Sequence, residues 1–281
     1  MLAIRGLHRH DGSCIATIGV ASRRTFPYTC GGANIVMQFY FIRHAQSVNN
    51  ALYDQTGSWN SRNEDPELTD TGRQQAQHLA QFIVQADVNF DPSQRNDANR
   101  FGFSFTHIYT SLMLRAVSTG TPLADALGLP LVAWVDAHET GGIFLDDEVT
   151  GKPIGLPGKT RADFEAHFPN LVLPAELDHT GWWNRPFETD EERLVRARRF
   201  LTELLARHGS TDDRVAVISH GGFYNRFIRA LLNWTPPAGE WPTGTWFDVN
   251  NASISRFDVR GDGLRIVYLN RTDHLPSGLI T

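Results

Sequence analysis

Short apolar or β-branched runs alternate with helical segments along this chain, and this alternation limits its fold more than any other feature. The runs predict six strands, at 38–43, 105–109, 131–135, 214–219, 253–259 and 264–270. Apolar side chains at helical spacing predict helices between them, over 70–86, 190–208 and 221–232. Strands that alternate with helices favour a three-layer α/β/α sandwich, in which helices cover both faces of a mostly parallel sheet.

The ends of these elements carry the signals of turns and helix caps. Gly261-Asp262-Gly263 joins the last two strands and predicts a hairpin, which makes that edge of the sheet antiparallel. Thr189 and Glu192 form a capping-box pattern at the start of the helix over 190–208. Both signals therefore agree with an α/β fold that has an antiparallel edge.

The composition allows a sizeable core and excludes several classes of protein. The chain has 281 residues, 41% of them hydrophobic and 20% charged, so a wholly disordered chain is excluded. No apolar run approaches the roughly 18 residues of a membrane span, so we expect no membrane partner. The net charge is −5 without a long basic run, so we expect no nucleic acid partner either.

The first 36 residues differ from the rest of the chain. Their basic residues are all arginines, and Asp11 is their sole acid. This bias is compatible with an organellar transit peptide, whereas a secretory signal needs a longer apolar stretch. Met37 stands directly before the first strand, so a start codon placed too far upstream is a third interpretation. We expect residues 1–36 to be a flexible or mis-annotated extension and residues 37–281 to form the folded domain.

Both cysteines, Cys14 and Cys30, lie in that first segment. The folded body therefore has no disulfide framework, no cysteine metal site and no cysteine nucleophile. This distribution fits a reducing compartment, and we expect a cytoplasmic protein unless residues 1–36 direct it to an organelle. The sequence does not indicate an oligomeric state, so a homo-oligomer is an open alternative.

Two segments interrupt the alternation of strands and helices. Residues 87–103 are polar and rich in turn residues, which predicts a long surface loop. Residues 140–188 are rich in glycine and proline and predict one short helix near 160–168. We expect this second segment to be a cap inserted into one domain.

Charged and imidazole side chains follow four of the predicted strands. Arg43 and His44 follow the first strand, Arg115 the second, Glu139 the third and His220 the fourth. Each of them alone has an ordinary structural explanation, such as a surface ion pair or a bond to a backbone carbonyl. Ligands of open α/β sheets bind beyond the carboxyl ends of the parallel strands, however, so we expect these side chains to converge on one anion-binding hollow.

Longer motifs around these residues resemble the histidine phosphatase superfamily, the phosphoglycerate mutase-like proteins. Arg43-His44-Ala45-Gln46-Ser47 is similar to the Arg-His-Gly signature, with alanine where glycine is usual. Residues 65–76, 111–116 and 219–221 resemble the Leu-Thr-x-x-Gly-x-x-Gln-Ala, Ser-x-x-x-Arg-Ala and second-histidine motifs. The resemblance spans about residues 37–275 and implies a phosphoglycerate mutase-like fold.

The resemblance also implies a role for each of the convergent side chains. His44 would be the nucleophile and would form a phosphohistidine. Arg43 and Arg115 would keep its imidazole neutral and bind the phosphoryl oxygens, and His220 would donate to another of these oxygens. Glu139 would protonate the leaving oxygen as general acid and then activate water as base.

Further residues near the expected phosphate site carry smaller roles. Gly221 begins a helix whose N-terminal amides are expected to face the anion. Asn50 is expected to contact phosphate or substrate, whereas Ser47 is expected to cap the helix after His44. His138 is a candidate to orient its neighbours in the site. We expect no metal and no cofactor in the reaction.

The expected function is that of a histidine acid phosphatase-like phosphoric monoester hydrolase acting on a small phosphorylated metabolite. One alternative is a phosphoglycerate mutase-type phosphotransferase, although the sequence after Glu139 departs from that of mutases. The other is a catalytically silent protein that binds a phospho-ligand or another protein, which the full set of catalytic residue types disfavours. A P-loop ATPase is not expected, because Pro153 stands where that motif needs its first glycine.

Overall fold

Nine strands and six helices make up the described part of the chain. The computed structural model describes residues 36–85, 99, 102–233, 246–261 and 263–281, so the predicted extension over 1–36 and the predicted loop over 87–103 lie almost entirely outside it. The strands are β1 (Val36–Arg43), β2 (His107–Thr110), β3 (Leu131–Ala133), β4 (Phe144–Asp146), β5 (Pro153–Gly155), β6 (Leu171–Val172), β7 (Arg214–Ser219), β8 (Ile254–Arg260) and β9 (Gly263–Arg271). The helices are α1 (Val48–Thr56), α2 (Asp70–Val84), α3 (Leu114–Leu127), α4 (Arg161–His167), α5 (Asp190–His208) and α6 (Gly221–Leu231). None of these helices has the length and apolar character needed to cross a membrane.

Seven of the strands form one mixed sheet in the order β6-β3-β2-β7-β1-β8-β9. The strands from β6 to β1 in this order are parallel to their neighbours, whereas β8 and β9 are antiparallel to theirs. β4 and β5 form a separate antiparallel ribbon. The predicted mostly parallel sheet with an antiparallel edge is therefore confirmed.

The alternation of side chains along β1 explains why helices cover both faces of this sheet. Phe39 and Phe41 point to one face and pack against aromatic rings of α5 and α6. Tyr40 and Ile42 point to the other face, into the cluster that holds apolar residues of α2 and α3. Each fully buried phenylalanine contributes about 1.5–3 kcal/mol to folding, so this one strand is a large part of the core. The two helical layers confirm the three-layer sandwich.

The third predicted strand is shorter than expected. It ends at Ala133 rather than at residue 135, because the chain turns into a 3-10 helix over Val135–Ala137. Ala137 is fully buried in this turn, and the turn carries Glu139 to the carboxyl edge of the sheet. The position of Glu139 therefore depends on a turn that the apolar pattern of the strand does not reveal.

The segment over 140–188 contains the β4–β5 ribbon, α4 and β6. The short helix predicted near 160–168 is observed as α4, and β6 pairs with β3 at one edge of the main sheet. Trp182 and Trp183 are buried in the same apolar cluster as the core residues of α2 and α3. The segment thus packs on the main core; its role as an inserted cap remains a prediction.

A close backbone contact joins α2 to the loop after β1. Gly72 of α2 lies so near Gln46 that a Cβ atom at position 72 would sit 2.0 Å from the Gln46 carbonyl oxygen. The same carbonyl accepts a hydrogen bond from the Thr69 backbone (3.0 Å), and the Gln75 side chain accepts one from the Gln46 backbone (2.7 Å). The first turn of α2 therefore fixes the loop that begins with His44.

We expect the substitution Gly72→Ala to destabilise the protein, because the added methyl group overlaps a backbone oxygen that cannot move without displacing the loop. The expected loss is at least about 1–3 kcal/mol, the usual cost of overpacking. Chemical denaturation monitored by circular dichroism measures it.

Gln74→Ala is the matched control, since Gln74 is exposed on the same helix. We expect that change to stay within about 0.5 kcal/mol of the wild type. Equal stability of the two variants would show that the loop yields freely and that Gly72 does not fix it.

Candidate active site

The structure brings the five predicted side chains together at one edge of the sheet. β3, β2, β7 and β1 are parallel neighbours, so their carboxyl ends lie side by side. His44 follows β1, Arg115 begins α3 after β2, Glu139 follows the turn after β3, and His220 directly follows β7. The rings of His44 and His220 lie 5.0 Å apart, and the charges of Glu139 and Arg115 both act on Arg43. The five side chains therefore lie at one edge of the sheet, and that they bind an anion there remains a prediction.

The hydrogen bonds of His44 define which ring nitrogen carries the proton and which keeps its lone pair. Its Nδ1 lies 2.7 Å from the Ala45 carbonyl oxygen, and because a carbonyl only accepts, Nδ1 must carry the proton. Nε2 then keeps its lone pair, toward which the Nε–H of Arg115 points at 3.1 Å. The imidazole is 3% exposed, so a single face of a fixed tautomer is presented to the site.

Burial and positive neighbours keep His44 neutral. Burial lowers the pKa of His44 well below its usual value of 6.5, and the guanidinium groups of Arg115 and Arg43 lower it further. The hydrogen bond to the Ala45 carbonyl acts in the opposite direction but does not restore the pKa. The ring therefore stays neutral, with its single proton on Nδ1, at neutral pH.

His220 is held by Ser111, which follows β2. A hydrogen bond of 2.8 Å joins its Nε2 to the Ser111 hydroxyl, whose oxygen also accepts the Met113 amide at 3.1 Å. Its Nδ1 is buried without a hydrogen-bond partner among the described residues. Burial lowers the pKa of His220 well below 6.5, with smaller contributions from Arg115 and His44. Nδ1 is thus the nitrogen available to a ligand.

Different segments of the chain hold the two arginine side chains. Arg43 donates from Nη1 to the carbonyl of Val249, in the segment before β8. Arg115 donates from Nη2 to the sulfur of Met113 (3.1 Å), and its Nη1 lies 3.8 Å from Oδ1 of Asp65. Arg115 is buried and Arg43 is half-buried, and these contacts hold both side chains without a ligand.

Glu139 occupies the N-terminus of α6. Its Oε2 accepts the amide of Gly222 (3.1 Å), and its Oε1 accepts those of Phe223 (2.8 Å) and Thr140 (2.7 Å). The helix dipole favours an anion at this position. We expected the first amides of this helix to face a bound anion; the structure instead directs those of Gly222 and Phe223 to Glu139, because the turn after β3 places the carboxylate directly over them.

Asn50 and Gly221 have less prominent positions than the other predicted residues. The side-chain oxygen of Asn50 accepts the amide (3.1 Å) and hydroxyl (2.9 Å) of Ser47 in a capping box, which confirms Ser47 as the cap of α1. Gly221 is the first residue of α6, and a Cβ atom there would lie 3.5 Å from Nε of Arg43. Gly221 is therefore adjacent to the site, and the oxygen of Asn50 is already used within the protein.

A buried ion pair holds the turn that carries Glu139, and sequence reasoning missed it. Arg196 of α5 donates from Nε and Nη2 to the Glu188 carboxylate, at 2.6 and 2.7 Å. Its Nη1 donates to the carbonyls of Asp136 (2.8 Å) and His138 (2.9 Å), on either side of the turn. Arg196 is 2% exposed. This arginine is buried rather than solvated, because it donates to two backbone carbonyls at the irregular turn.

Asp65 is a second buried acid that the sequence did not single out. Its Oδ1 accepts the amide of Leu114 at 3.0 Å, where α3 has no side-chain cap of its own. Burial raises the pKa of Asp65 to about 7, although the Arg115 guanidinium opposes the rise. Asp65 therefore anchors the start of α3 and with it the position of Arg115.

The backbone carbonyl of His44 is held by the segment before β8. The amide nitrogen of the Asn251 side chain donates to it at 3.0 Å, and the Ala252 backbone donates at 3.2 Å. The carboxyl-terminal residues complete this support: the Asn251 backbone donates to the Thr281 carbonyl (2.8 Å), and the Gln75 side chain donates to the Leu279 carbonyl (2.7 Å). The antiparallel direction of β8 brings these groups to the same edge as His44.

His138 lies beside the site under a pair of indoles. It is fully buried, and its ring packs edge-on against Trp183 with centroids 4.7 Å apart. Burial lowers the pKa of His138 well below 6.5, with Arg196 and Arg185 adding to the effect. Nε2 lies 3.4 Å from Nη2 of Arg185, and Nδ1 has no hydrogen-bond partner in the described part of the chain.

The opposite edge of the sheet carries a separate polar cluster. His107, His208 and Asp213 lie near enough to one another to hold a metal ion. His208 already bonds through both ring nitrogens, Nδ1 with Asp213 (2.8 Å) and Nε2 with the Tyr109 hydroxyl (3.1 Å). The cluster thus ties the end of α5 to the start of β7. That the reaction needs no metal remains a prediction.

A family model for the histidine phosphatase superfamily (branch 1) matches residues 39–272. The chain belongs to the histidine phosphatase superfamily. The match includes all five convergent side chains, so the family resemblance expected from the motifs is confirmed.

The relatives of this histidine phosphatase superfamily member are distant. A protein of Hydrogenobacter thermophilus named provisionally as phosphoserine phosphatase 2 is 24% identical over 245 residues, which cover 84% of this chain and 97% of that protein. A 2,3-bisphosphoglycerate-dependent phosphoglycerate mutase of Latilactobacillus sakei is 35% identical over 102 residues, 35% of this chain and 33% of that enzyme. The solved phosphoserine phosphatase of Entamoeba histolytica in complex with 3-phosphoglyceric acid has a TM-score of 0.51 and 19% identity over 85% of this chain and 100% of that one. This structural likeness confirms the phosphoglycerate mutase-like fold.

We expect the free energy of unfolding to fall as the pH drops from 7 to 5. His44, His138 and His220 are neutral when folded but take up protons near pH 6.5 when unfolded, and burial lowers the pKa of His274 to about 4. Because the unfolded state binds protons at these histidines and the folded state does not, the free energy of unfolding falls with decreasing pH. Each group lowers it by about 1 kcal/mol per pH unit. Asp65, with its pKa raised to about 7, acts in the opposite direction over the same range.

Urea denaturation at a series of pH values measures this slope. His138→Gln removes one of the buried imidazoles, so its stability is expected to fall less steeply with acid than that of the wild type. Stability that is constant or rises between pH 7 and 5 would contradict the neutral, buried state of these histidines.

Proposed function

We propose that this chain is a phosphomonoester phosphatase that transfers the phosphoryl group of a small phosphorylated metabolite to Nε2 of His44. The observation that carries the proposal is the state of this nitrogen: Nδ1 holds the ring proton, and Nε2 is an unprotonated nitrogen beside a guanidinium. A neutral imidazole is a good nucleophile for phosphorus. The phosphatase names of distant relatives agree with this activity.

In the first step, the Nε–H of Arg115 turns from Nε2 of His44 to a phosphoryl oxygen, and the freed Nε2 lone pair attacks phosphorus. The bond from phosphorus to the ester oxygen breaks. Arg43, Arg115 and Nδ1 of His220 bind the phosphoryl oxygens, whose charge these donors stabilise in the transition state. The leaving oxygen takes a proton from Glu139. In the second step, water gives its proton to Glu139 and attacks phosphorus, which releases phosphate and restores His44.

The placement of Glu139 supports its role as acid and then base. Amides of Gly222 and Phe223 orient its carboxyl group toward the edge where His44 lies. We retain Gly221 and the side-chain nitrogen of Asn50 as proposed phosphate contacts.

A phosphoglycerate mutase is the second candidate, because 102 residues of the chain match an enzyme of that name. A mutase must protect its phosphohistidine from water and return the phosphoryl group to the substrate. Incubation with 3-phosphoglycerate separates the two activities: a phosphatase releases phosphate and glycerate, whereas a mutase forms 2-phosphoglycerate.

Rapid denaturation during turnover of phosphorus-labelled substrate is expected to trap label on the protein. The trapped phosphate should be stable in base and labile in acid, as a phosphorus–nitrogen bond requires, and should map to His44. His44→Ala is expected to trap none and to lose turnover of p-nitrophenyl phosphate.

Asn50→Asp and wild type serve as folded references for the thermal transition of His44→Ala. Label found on serine or aspartate, or full turnover by a folded His44→Ala protein, would refute the proposed nucleophile. A wild type that turns over no phosphoester would favour the silent alternative instead.

Gly222→Ala is expected to impair catalysis without unfolding the protein. A Cβ atom at position 222 would lie 2.5 Å from Oε1 of Glu139 and 2.6 Å from Oγ1 of Thr140, so the flexible carboxylate must shift. Removal of a general acid costs about 10²–10⁴-fold, and displacement is expected to cost at least about tenfold on alkyl phosphates. p-Nitrophenyl phosphate should be affected less, because its leaving group needs little proton assistance.

Gly221→Ala is the comparison, since its Cβ would make an ordinary contact with Arg43. Steady-state kinetics of both variants on glycerol 3-phosphate and p-nitrophenyl phosphate measure the difference. Glu139→Gln should show the same dependence on leaving group as Gly222→Ala. Equal losses on both substrates in all variants would exclude proton donation by Glu139.

A further inference from the structure

Arg62 lies in the loop between α1 and α2 and carries a guanidinium group that the mechanism does not use. Its Cζ sits 3.9 Å from the centre of the Phe144 ring, in a stacked cation–π contact. Phe144 begins β4, five residues after Glu139, and packs against Phe187 at 4.6 Å. The contact therefore connects the loop after α1 with the chain just beyond Glu139.

The backbone beside Arg62 is firmly held. The buried side chain of Asn49 donates to the Asn63 carbonyl (2.7 Å) and accepts the Asn63 amide (2.9 Å). The side-chain oxygen of Asn63 accepts the amide of Asp65 at 2.8 Å, and Asp65 in turn anchors the start of α3 next to Arg115. The stem of Arg62 thus starts from a fixed point close to the phosphate-binding arginines.

The guanidinium group of Arg62 has unused hydrogen-bonding capacity. Nε is buried without a partner, and no carboxylate of the described residues lies within ion-pair distance. Stacking on Phe144 satisfies the face of the guanidinium, but the N–H groups lie in its plane and point past the ring. A partly buried cation whose donors are free favours an anionic partner that comes from outside the protein.

The charges of two of the convergent side chains, Arg115 and Glu139, act on Arg62. Burial and the charge of Arg115 lower the pKa of Arg62, whereas the carboxylates of Asp146, Glu139 and Glu64 raise it. Arg62 thus interacts with one phosphate-binding arginine and with Glu139 at the same time. Arginine stays charged despite such shifts, so a cation is present at this side of the site.

We propose that Arg62 binds a second anionic group of the substrate, a carboxylate or a second phosphate, beside the phosphoryl group that is transferred. The substrate class is then a small phosphomonoester that carries a further anion, an inference that rests on the phosphatase activity proposed above. The planar fork of arginine suits two-pronged binding of either group. The contact with Phe144 limits the movement of this fork, which makes binding depend on the position of the anion.

Arg185 also lies over an aromatic ring near the site, and it is a weaker candidate. Its guanidinium lies 4.0 Å from the Trp183 ring centre, and Nη2 already faces Nε2 of His138. The charges that act on it are those of Glu188, Arg196, Asp136 and Arg199, on the side of α5. Arg62, in contrast, is influenced by Arg115 and Glu139.

Matched pairs of substrates test the proposal. 3-Phosphoglycerate and glycerol 3-phosphate differ by a carboxylate, as do phosphoserine and phosphoethanolamine, and glucose 1,6-bisphosphate and glucose 6-phosphate differ by a phosphate. Wild type is expected to prefer the anionic member of at least one pair. Arg62→Gln should lower kcat/KM for that member about 10–100-fold, mainly through KM, the usual effect of losing a charged hydrogen bond. Arg62→Lys should recover part of it.

For the other substrates, kcat/KM of Arg62→Gln is expected to stay within about threefold of the wild-type value. These substrates are p-nitrophenyl phosphate and the member of each pair that lacks the second anion. Arg207→Gln is the matched control: Arg207 lies in the last turn of α5, pairs with Glu203 and is remote from the site, so its variant should retain the wild-type preferences. Calorimetric binding of the same ligands to His44→Ala gives a second readout that needs no turnover.

Two results would overturn the proposal. One is an equal loss of kcat/KM on all substrates in Arg62→Gln, which would mean that Arg62 binds the transferred phosphoryl group or stabilises the fold. The other is the absence of any preference for an anionic member, both in the kinetics of the wild type and in the calorimetry of His44→Ala. Failure of the proposed phosphatase activity is distinguishable from both, because p-nitrophenyl phosphate would then not be turned over at all.

Discussion

The contact between the Arg115 guanidinium and Nε2 of His44 is the interaction on which the rest of the site depends. A buried imidazole next to a buried cation cannot hold a second positive charge, so the ring remains a neutral base and nucleophile. In the proposed mechanism, the same cation attracts the phosphoryl group that the ring attacks. This one pair of side chains thereby combines a neutral imidazole with a positive charge next to it. The cost of burying Arg115 is offset by Asp65, which lies on its other side.

The support around this pair comes from several distant segments. Asp65 and the start of α3 hold Arg115, the segment before β8 holds the carbonyl of His44, and Arg196 with Glu188 holds the turn before Glu139. Parallel strands end at one edge and deliver the reacting groups there, while the loops and helices that return to that edge fix their geometry.

The sequence predicts the reacting groups better than their supports, for a physical reason. Strand ends are visible as changes in the apolar pattern, so the convergence of His44, Arg115 and His220 follows from the order of elements alone. The use of α6 amides by Glu139 and the Arg196–Glu188 pair depend on contacts between segments far apart in the chain, which periodicity does not encode. The sequence pattern also does not predict very short strands such as β6, or α3 with its internal Pro122. These elements have too few periodic apolar positions.

The support of His44 by the end of the chain has a practical consequence for protein engineering. Asn251 and Gln75 hold the loop that begins with His44, and both are bonded to the last three residues. A purification tag, fluorescent fusion or surface tether joined directly after Thr281 would pull on these bonds. A flexible spacer after Thr281 would therefore keep mechanical load on an attached tag from reaching His44.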